Sequence, residues 1–497
     1  MKLRPYQEQA VDETRQALAK YKRVLFQLPT GGGKTVVFSN IALLSQKYNR
    51  RVLIVSNRTE ILMQNGGALE RMGLDLTYIN PKGRKIPTTN IAVGMAQTLK
   101  RRVEKEDWVA YLRGVELAIF DECHECTSDF LHEYFSDKCF VLGVTATPRR
   151  YGKMKQLGSL YKAMVQVATV KDLLDLKFLA PSKLYSISAP KLDIPIDKSI
   201  GDYNQKMLAQ KFETKTNYTG VVKEWLRLTP NQKTICFCVS SVQAIAITKE
   251  FVDNGVSARY LLSGTFDEDD IYSGERKEVM DSFKRSEFTV LVNVGIAVAG
   301  LDVPDIRVVI ANFATISITK WKQALGRGAR ICEGKTEFTI LDCGANYQKL
   351  GRYEDEPIWN LWHDEHSGEG VQAVKTCGEH NGRQCEDIEG KVGCGELVPT
   401  TCKVCPNCGW IFVTDKYEYQ MYLEEVAKDT QDSTASYCAQ KKLEGWSIHR
   451  IFVQVCLANA GQEHKAFVEA CKALQVSEKY WYPFKTKIWS KIKNKKV

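Results

Sequence analysis

LPTGGGKT, Leu28 to Thr35, follows the apolar run Val24-Leu25-Phe26 and precedes Val36, Val37, Ile41 and Leu44 at helical spacing. That order predicts a buried strand, a glycine turn and a helix, which is the context a phosphate-binding loop needs. Consecutive glycines let the backbone wrap an anion with its N–H groups. The helix that follows turns its positive dipole end toward the same anion. Thr30, Gly31, Gly32 and Gly33 are therefore expected to cradle the phosphates of ATP. Lys34 would reach the β- and γ-phosphates, and the Thr35 hydroxyl would sit on Mg²⁺. Leu28 stands where the general pattern has glycine.

A chain of 497 residues is too long for one core and predicts two to four domains. Its composition, 44% hydrophobic and 26% charged, is that of an ordinary globular protein. No run of 18 apolar residues occurs, so no membrane span and no membrane partner are expected. The polar opening, MKLRPYQEQAVDE, lacks a signal-peptide core. Scattered apolar cysteines such as Cys236 and Cys238 then fit free thiols in a reducing, cytoplasmic setting. The formal charge of +10 favours an anionic partner.

Upstream of the loop, Leu3, Tyr6, Ala10, Val11 and Leu18 fall on one helical face. Arg4 and Gln7 are left near its start, either as a solvated helix end or as polar groups for an adenine edge. Downstream, Arg51 to Val55 and Asn90 to Val93 read as strands, each ending in a polar loop (Ser56 to Thr59, Gly94 to Thr98) that could hold a phosphodiester backbone. Leu117 to Phe120 is a strand that delivers Asp121 and Glu122. Beside a phosphate loop, the first carboxylate would hold Mg²⁺ and the second would orient or deprotonate the attacking water. Phe140 to Val144 leads into Thr145-Ala146-Thr147-Pro148.

The series LPTGGGKT, DECH (Asp121 to His124) and TATP (Thr145 to Pro148) resembles the nucleic-acid-dependent ATPases of helicase superfamily 2. The resemblance implies an α/β fold with two tandem RecA-like parallel-sheet domains. A second set of strands and helices does follow: Thr234 to Cys238, Val242 to Asn254, Arg276 to Phe283, Val290 to Val292 and Val308 to Ile310. Gly300-Leu301-Asp302-Val303-Pro304 resembles the family's motif V, which puts Gly300 and Asp302 near the nucleotide. Gln323 to Arg330 resembles motif VI. Arg327 and Arg330, three apart, would point the same way on a helix. Facing the phosphate loop, they would neutralise charge on the transferring phosphoryl group. The expected catalytic set is Lys34, Asp121, Glu122, Gln323, Arg327 and Arg330. The expected domains are 1–165 and 215–350, joined by a linker or edge at 166–214.

Residues 377–412 hold six cysteines. Cys405-Pro-Asn-Cys408-Gly409 is a metal knuckle, and four sulfurs suit Zn²⁺. Cys385 and Cys394 are the expected second pair, with Cys377, His380 and Cys402 as alternatives. The order LRPYQ, LPTGGGKT, DECH, TATP, QALGRGAR and a cysteine module resembles the RadD-type bacterial DNA helicases and their phage relatives. That likeness implies adenine recognition by Arg4 and Gln7. The tail, 413–497, reads as partly helical (Tyr417 to Val426, Ile448 to Ala458). It ends in aromatics and lysines, either a nucleic-acid surface or a docked helix.

The function expected is an ATP-dependent helicase or translocase in replication, recombination or repair, in a bacterial or phage-infected cytoplasm. DNA is favoured over RNA as the partner. A double-strand translocase without strand separation and an RNA helicase are the alternatives. Single-strand-binding or replication and repair proteins are candidate partners; the sequence leaves the oligomeric state open.

Overall fold

In the computed structural model, the described residues are 3–83, 85–187, 194–262, 276–294, 303–355, 357 and 359–362, followed by short pieces at 374–377, 379–380, 383–384, 391–394, 397–399, 405, 408–410 and 423–425. Helix α1 (Pro5–Tyr21) opens the chain, with proline in its first turn and Tyr6, Ala10, Val11 and Leu18 buried. Seven parallel strands follow: β1 (Arg23–Gln27), β2 (Val52–Ser56), β3 (Leu76–Ile79), β4 (Ile91–Met95), β5 (Leu117–Asp121), β6 (Phe140–Thr145) and β7 (Ala163–Gln166). They lie in the order β3-β4-β2-β5-β6-β1-β7. Between them run α2 (Lys34–Gln46), α3 (Thr59–Arg71), α4 (Ala96–Arg102) and α5 (Glu106–Arg113).

The strands read as continuous apolar runs because both faces are covered. Val24 and Phe26 of β1 enter one core, and Leu25 enters another. Ile54 and Leu53 of β2 divide the same way, as do Ile119 and Phe120 of β5. Strand alternation thus feeds two helical layers. The C-terminal ends of β1, β2, β5 and β6 share one edge, where ligands of open α/β sheets bind.

Helix α6 (Val170–Asp175), capped by Thr169, leads to β8 (Ser182–Ile187). This strand joins the second sheet, pairing with β15 (Phe338–Asp342). The second sheet therefore begins inside the stretch expected to be linker. Leu184 and Ile187 enter cores on opposite faces of the strand, a pattern that suits either sheet, so only pairing decides. A small hairpin, β9 (Ile196–Asp197) and β10 (Asp202–Tyr203), precedes α7 (Gln205–Phe212) and α8 (Lys215–Leu228). Then come β11 (Thr234–Cys238), α9 (Ser241–Asp253), β12 (Ala258–Leu261), α10 (Arg276–Lys284), β13 (Val290–Val294), β14 (Val308–Asn312) and α11 (Ile318–Leu325), with α12 (Tyr347–Leu350) after β15. The sheet order is β12-β13-β11-β14-β15-β8, all parallel. Two tandem parallel-sheet domains are thus present, as the family resemblance implied.

The thiol-rich region forms a separate unit with two short pairings: β16 (Val374–Thr376) with β19 (Leu397–Pro399), and β17 (Glu379–His380) with β18 (Arg383–Gln384). One expectation fails here. Leu423–Glu425, inside a stretch read as helical, is a strand, β20, antiparallel to β8. The open edge of β8 offers ladder hydrogen bonds that outweigh weak local helix propensity. The rest of the tail lies outside the described residues. Among the described residues, no helix is long and apolar enough to cross a membrane.

Candidate functional site

β1 passes into the loop at Leu28, which is fully buried and donates its N–H to Thr145 O at 3.2 Å. A side chain at Gly32 would approach Leu28 Cγ to 2.8 Å, so the leucine fills the space beneath a glycine. Gly31 and Gly33 take φ of 87° and 89°, a region costly for residues with a Cβ. Gly33 is also the N-cap of α2, so the N–H groups of Lys34 and Thr35 open the helix at the loop.

The loop is braced from α1. Tyr6 OH and Gln7 Nε2 both donate to Gly32 O, at 2.7 and 3.2 Å. Gln7 Oε1 accepts from the Arg4 N–H at 3.0 Å. A Cβ on Gly33 would lie 2.5 Å from Gln7 Nε2. Both ends of the Gln7 amide are therefore engaged within the protein, and the Arg4 guanidinium lies 4.2 Å from the Phe178 ring centre.

β5 ends at Asp121, which accepts from Asn65 Nδ2 at 2.8 Å and from the Glu122 N–H at 3.0 Å. Glu122 has φ of 51°, the left-handed region, unusual for a residue with a side chain. Burial first, then the neighbouring Glu122 charge, pushes the Asp121 carboxyl up to about 6. Burial acts on Glu122 in the same upward sense, but Lys34, His124 and Arg327 outweigh it and hold that carboxyl down. Two touching acids are thus driven apart, with Glu122 the one kept charged.

His124 extends this centre. Its Nδ1 lies 2.8 Å from Thr145 Oγ1 and 3.4 Å from Glu122 Oε2. Its Nε2 lies 3.3 Å from Gln323 Nε2, on the second domain. With Gln323 as donor, His124 carries its proton on Nδ1 and hands it toward Thr145 or Glu122.

The second domain approaches through its glycines. A Cβ on Gly326 would sit 2.6 Å from Thr30 Cβ, and one on Gly31 would be 3.8 Å from Arg330 Cγ. Arg327 lies close enough to Glu122 to lower its carboxyl. Their spacing led to the expectation of a helix, but the arginines are not on one. α11 stops at Leu325 with Gly326 as its C-cap. Two glycines in three residues break the helix, and Ala329 O instead accepts from the Ala180 N–H at 2.8 Å. Lys34, Asp121, Glu122, Gln323, Arg327 and Arg330 are brought together with Thr30 to Thr35. Gly300 and Asp302 lie outside the described residues.

Sequence reasoning missed three residues. Asn65 on α3 bridges Ser56 Oγ and Asp121; nothing in its local sequence marks it. Phe178 meets both Arg4 and Tyr6. Arg150, two residues after TATP, is the third. Its guanidinium donates to the carbonyls of Cys123 (2.7 Å) and His124 (3.0 Å), and pairs bidentately with Asp129 at 2.7 Å. Its side chain is only 1% exposed. Arg150 thus clamps the backbone immediately after Glu122 and supports its strained φ. The second basic residue of TATPRR was the available signal. Asn57, in the loop after β2, is buried with no hydrogen-bond partner for its amide among the described residues.

In the separate unit, the thiols of Cys377, Cys394, Cys405 and Cys408 lie within 4.8 Å of one another. Cys377 to Cys408 is 3.4 Å and Cys394 to Cys405 is 3.8 Å. A tetrahedron of sulfurs ~2.3 Å from zinc has edges of about 3.8 Å, so the donor set fits Zn²⁺. The Trp410 N–H pulls the Cys408 thiol down to about 6, which favours the thiolate a metal needs. Cys377 takes the position expected for Cys385, which lies outside the described residues, as does Cys402. Spacing could not choose, because hairpin pairing decides which distant cysteine folds back on the knuckle.

Two family models match the chain: "Type III restriction enzyme, res subunit" over residues 1–150 and "Helicase conserved C-terminal domain" over 218–332. IRC3 of Saccharomyces cerevisiae, provisionally named an ATP-dependent helicase, is 29% identical over 68% of this chain and 51% of its own length. The chain therefore spans about half of that relative. A 51.5 kDa protein of a Lactococcus phage is 28% identical over 80% of each chain. The EcoAI type I restriction enzyme endonuclease subunit of Escherichia coli is 27% identical over 68% of this chain and 46% of its own. Among solved structures, the ATP-dependent type ISP restriction-modification enzyme LlaBIII bound to DNA shares the fold, with a TM-score of 0.51 at 17% identity over 69% of this chain and 27% of that one.

Proposed function

This chain carries the paired motor domains of helicase superfamily 2, and we propose that it is a nucleic-acid-dependent ATPase that moves along or unwinds DNA in replication, recombination or repair. The observation that carries the reading is the junction of Gln323 with His124, beside Glu122 and Arg327. It joins groups from two sheets around one phosphate loop.

The residues fit ATP and Mg²⁺. Gly31 and Gly33 supply a side-chain-free cradle, and the α2 N-terminus turns N–H groups toward it. Lys34 would neutralise phosphate charge. Thr35 and Asp121 would hold Mg²⁺, whose role is to polarise the phosphate oxygens. Glu122, kept charged, would accept a proton from the attacking water, and His124 and Thr145 fix its orientation. Arg327 and Arg330 would answer the charge that develops on the far side. Arg4 and Gln7 stay our candidates for the adenine edge, and Gly300 and Asp302 for motif V contacts. Because half of the site sits on each domain, nucleotide turnover is coupled to opening of the cleft. The loop after β2 and the first turn of α4, which starts directly after β4 where a loop from Gly94 to Thr98 was expected, are joined by Gln97 Nε2 donating to Asn57 O at 3.1 Å and would hold the phosphodiester backbone.

We place the first motor domain from α1 to α6 and the second from β8 to β15, with a Zn²⁺ module on Cys377, Cys394, Cys405 and Cys408 beyond them. A second reading keeps the same two-domain motor and has it translocate on duplex DNA without strand separation. The test is ATP hydrolysis with single-stranded DNA, duplex DNA or RNA, alongside strand separation on tailed duplexes and branched junctions. Stimulation by DNA with unwinding supports the first reading. Stimulation by duplex without unwinding supports the second, and stimulation by RNA alone overturns both.

A further inference from the structure

The chain does not leave the motor at the end of the second sheet. The described residues 351–355, 357 and 359–362 follow α12 and reach the first domain, and α11 grips the root of this segment. Trp321 Nε1 donates to Gly351 O at 2.9 Å. The buried Lys322 ammonium donates to the carbonyls of Arg352 (2.7 Å), Tyr353 (2.8 Å) and Asp355. Glu354 accepts from the Ser182 N–H and hydroxyl, at 3.1 and 2.7 Å, which fixes the same root to β8. At the far end, Gly158 of the first domain donates its N–H to Leu361 O at 2.9 Å. The Trp362 ring lies over Gly158 so closely that a Cβ there would be 2.1 Å from it. Between root and tip, Tyr353 and Trp359 share the walls of one small cavity with Pro29, Thr30, Thr147 and Lys322.

We infer that the root 351–355 and the tip Leu361–Trp362 act as a strap that sets the closure of the nucleotide cleft, and that Lys322 is the positioning residue that couples the strap to motif VI. The inference rests on the ATPase reading above and adds a regulator to that site. Three ammonium donors meet three consecutive-turn carbonyls, so Lys322 cannot shift without moving the strap. Gln323 and Arg327 follow on the same short segment. α11 is held at its other end as well, where the Ile318 N–H donates to Tyr151 OH of the first domain at 2.8 Å. Opening the cleft must therefore slide the strap off Gly158 or pull Lys322 from its carbonyls. The strap tip is the weaker hold, because Trp362 is 63% exposed.

The test breaks one contact from both sides. Trp362→Ala removes the ring, and Gly158→Val expels it without touching the strap. Both should lower kcat about tenfold with KM for ATP changed less, because a looser cleft withdraws Arg327 and Arg330 from the phosphoryl group while the phosphate loop still holds the nucleotide. The double variant should match either single one. Lys322→Met should lower kcat, and Lys322→Arg should restore part of it. Hydrogen exchange at Gly158 reads the strap without turnover: slow in the wild type, and about tenfold or more faster in Trp362→Ala. A wild type that protects Gly158 but never hydrolyses ATP would remove the ATPase role and, with it, the closure role. Unchanged kcat in both tip variants of an active enzyme, or effects that add, would overturn the strap alone.

Discussion

The phosphate loop and the thiol quartet are both turn-rich and built around glycine, yet different forces shape them. The loop rests on a fully buried Leu28, is tied by Tyr6 and Gln7, and is closed by Gly326 from the other domain. It sits in a core continuous across both sheets. The quartet's own core among the described residues is Cys377, Cys405 and Trp410, with Cys408 against it. Packing fixes the first site before any ligand arrives, whereas under the proposed zinc reading the metal would hold the second in shape.

That contrast can be broken in four ways, in descending size. Chelation, or Cys377→Ser, should remove on the order of 10 kcal/mol of binding-coupled stability from the thiol unit and release zinc. The motor's thermal transition should stay in place. Metal analysis and calorimetry on the same samples check both, and Cys385→Ser should keep the metal. Arg327→Ala should slow ATP turnover by about 10³, or ~4 kcal/mol, while nucleotide still binds. Arg150→Met should destabilise the motor by about 3 kcal/mol, since Asp129 and the Cys123 and His124 carbonyls lose a buried cation. Chemical denaturation reads that loss, and normal stability would show that the clamp is dispensable. Gly326→Ala is smallest: its Cβ meets Thr30, and turnover should fall about tenfold, ~1.4 kcal/mol, at unchanged stability.

Much of the motor was legible in the sequence because its signals are local. Apolar runs ending in GKT, DECH and TATP report strand, turn and chemistry within a few residues. The errors arose where distant pairing decides. β8 reads the same in either sheet until it finds β15. Leu423–Glu425 becomes a strand only beside β8. The spacing of Arg327 and Arg330 implied a helix, but Gly326 and Gly328 end it first. Cys377 could not be chosen over Cys385 by counting. Asn65 carries no motif and Arg150 only its place after TATP; they matter because the fold brings them to Asp121 and to the turn after Glu122.

If one ATP site is assembled from two domains and driven by DNA, ATP turnover of the wild type, Lys34→Ala and Arg327→Ala, each with and without single-stranded and duplex DNA, reads it out. DNA should stimulate the wild type, and both variants should bind DNA yet lose hydrolysis. Full hydrolysis by Arg327→Ala, or a wild type indifferent to DNA, would contradict it.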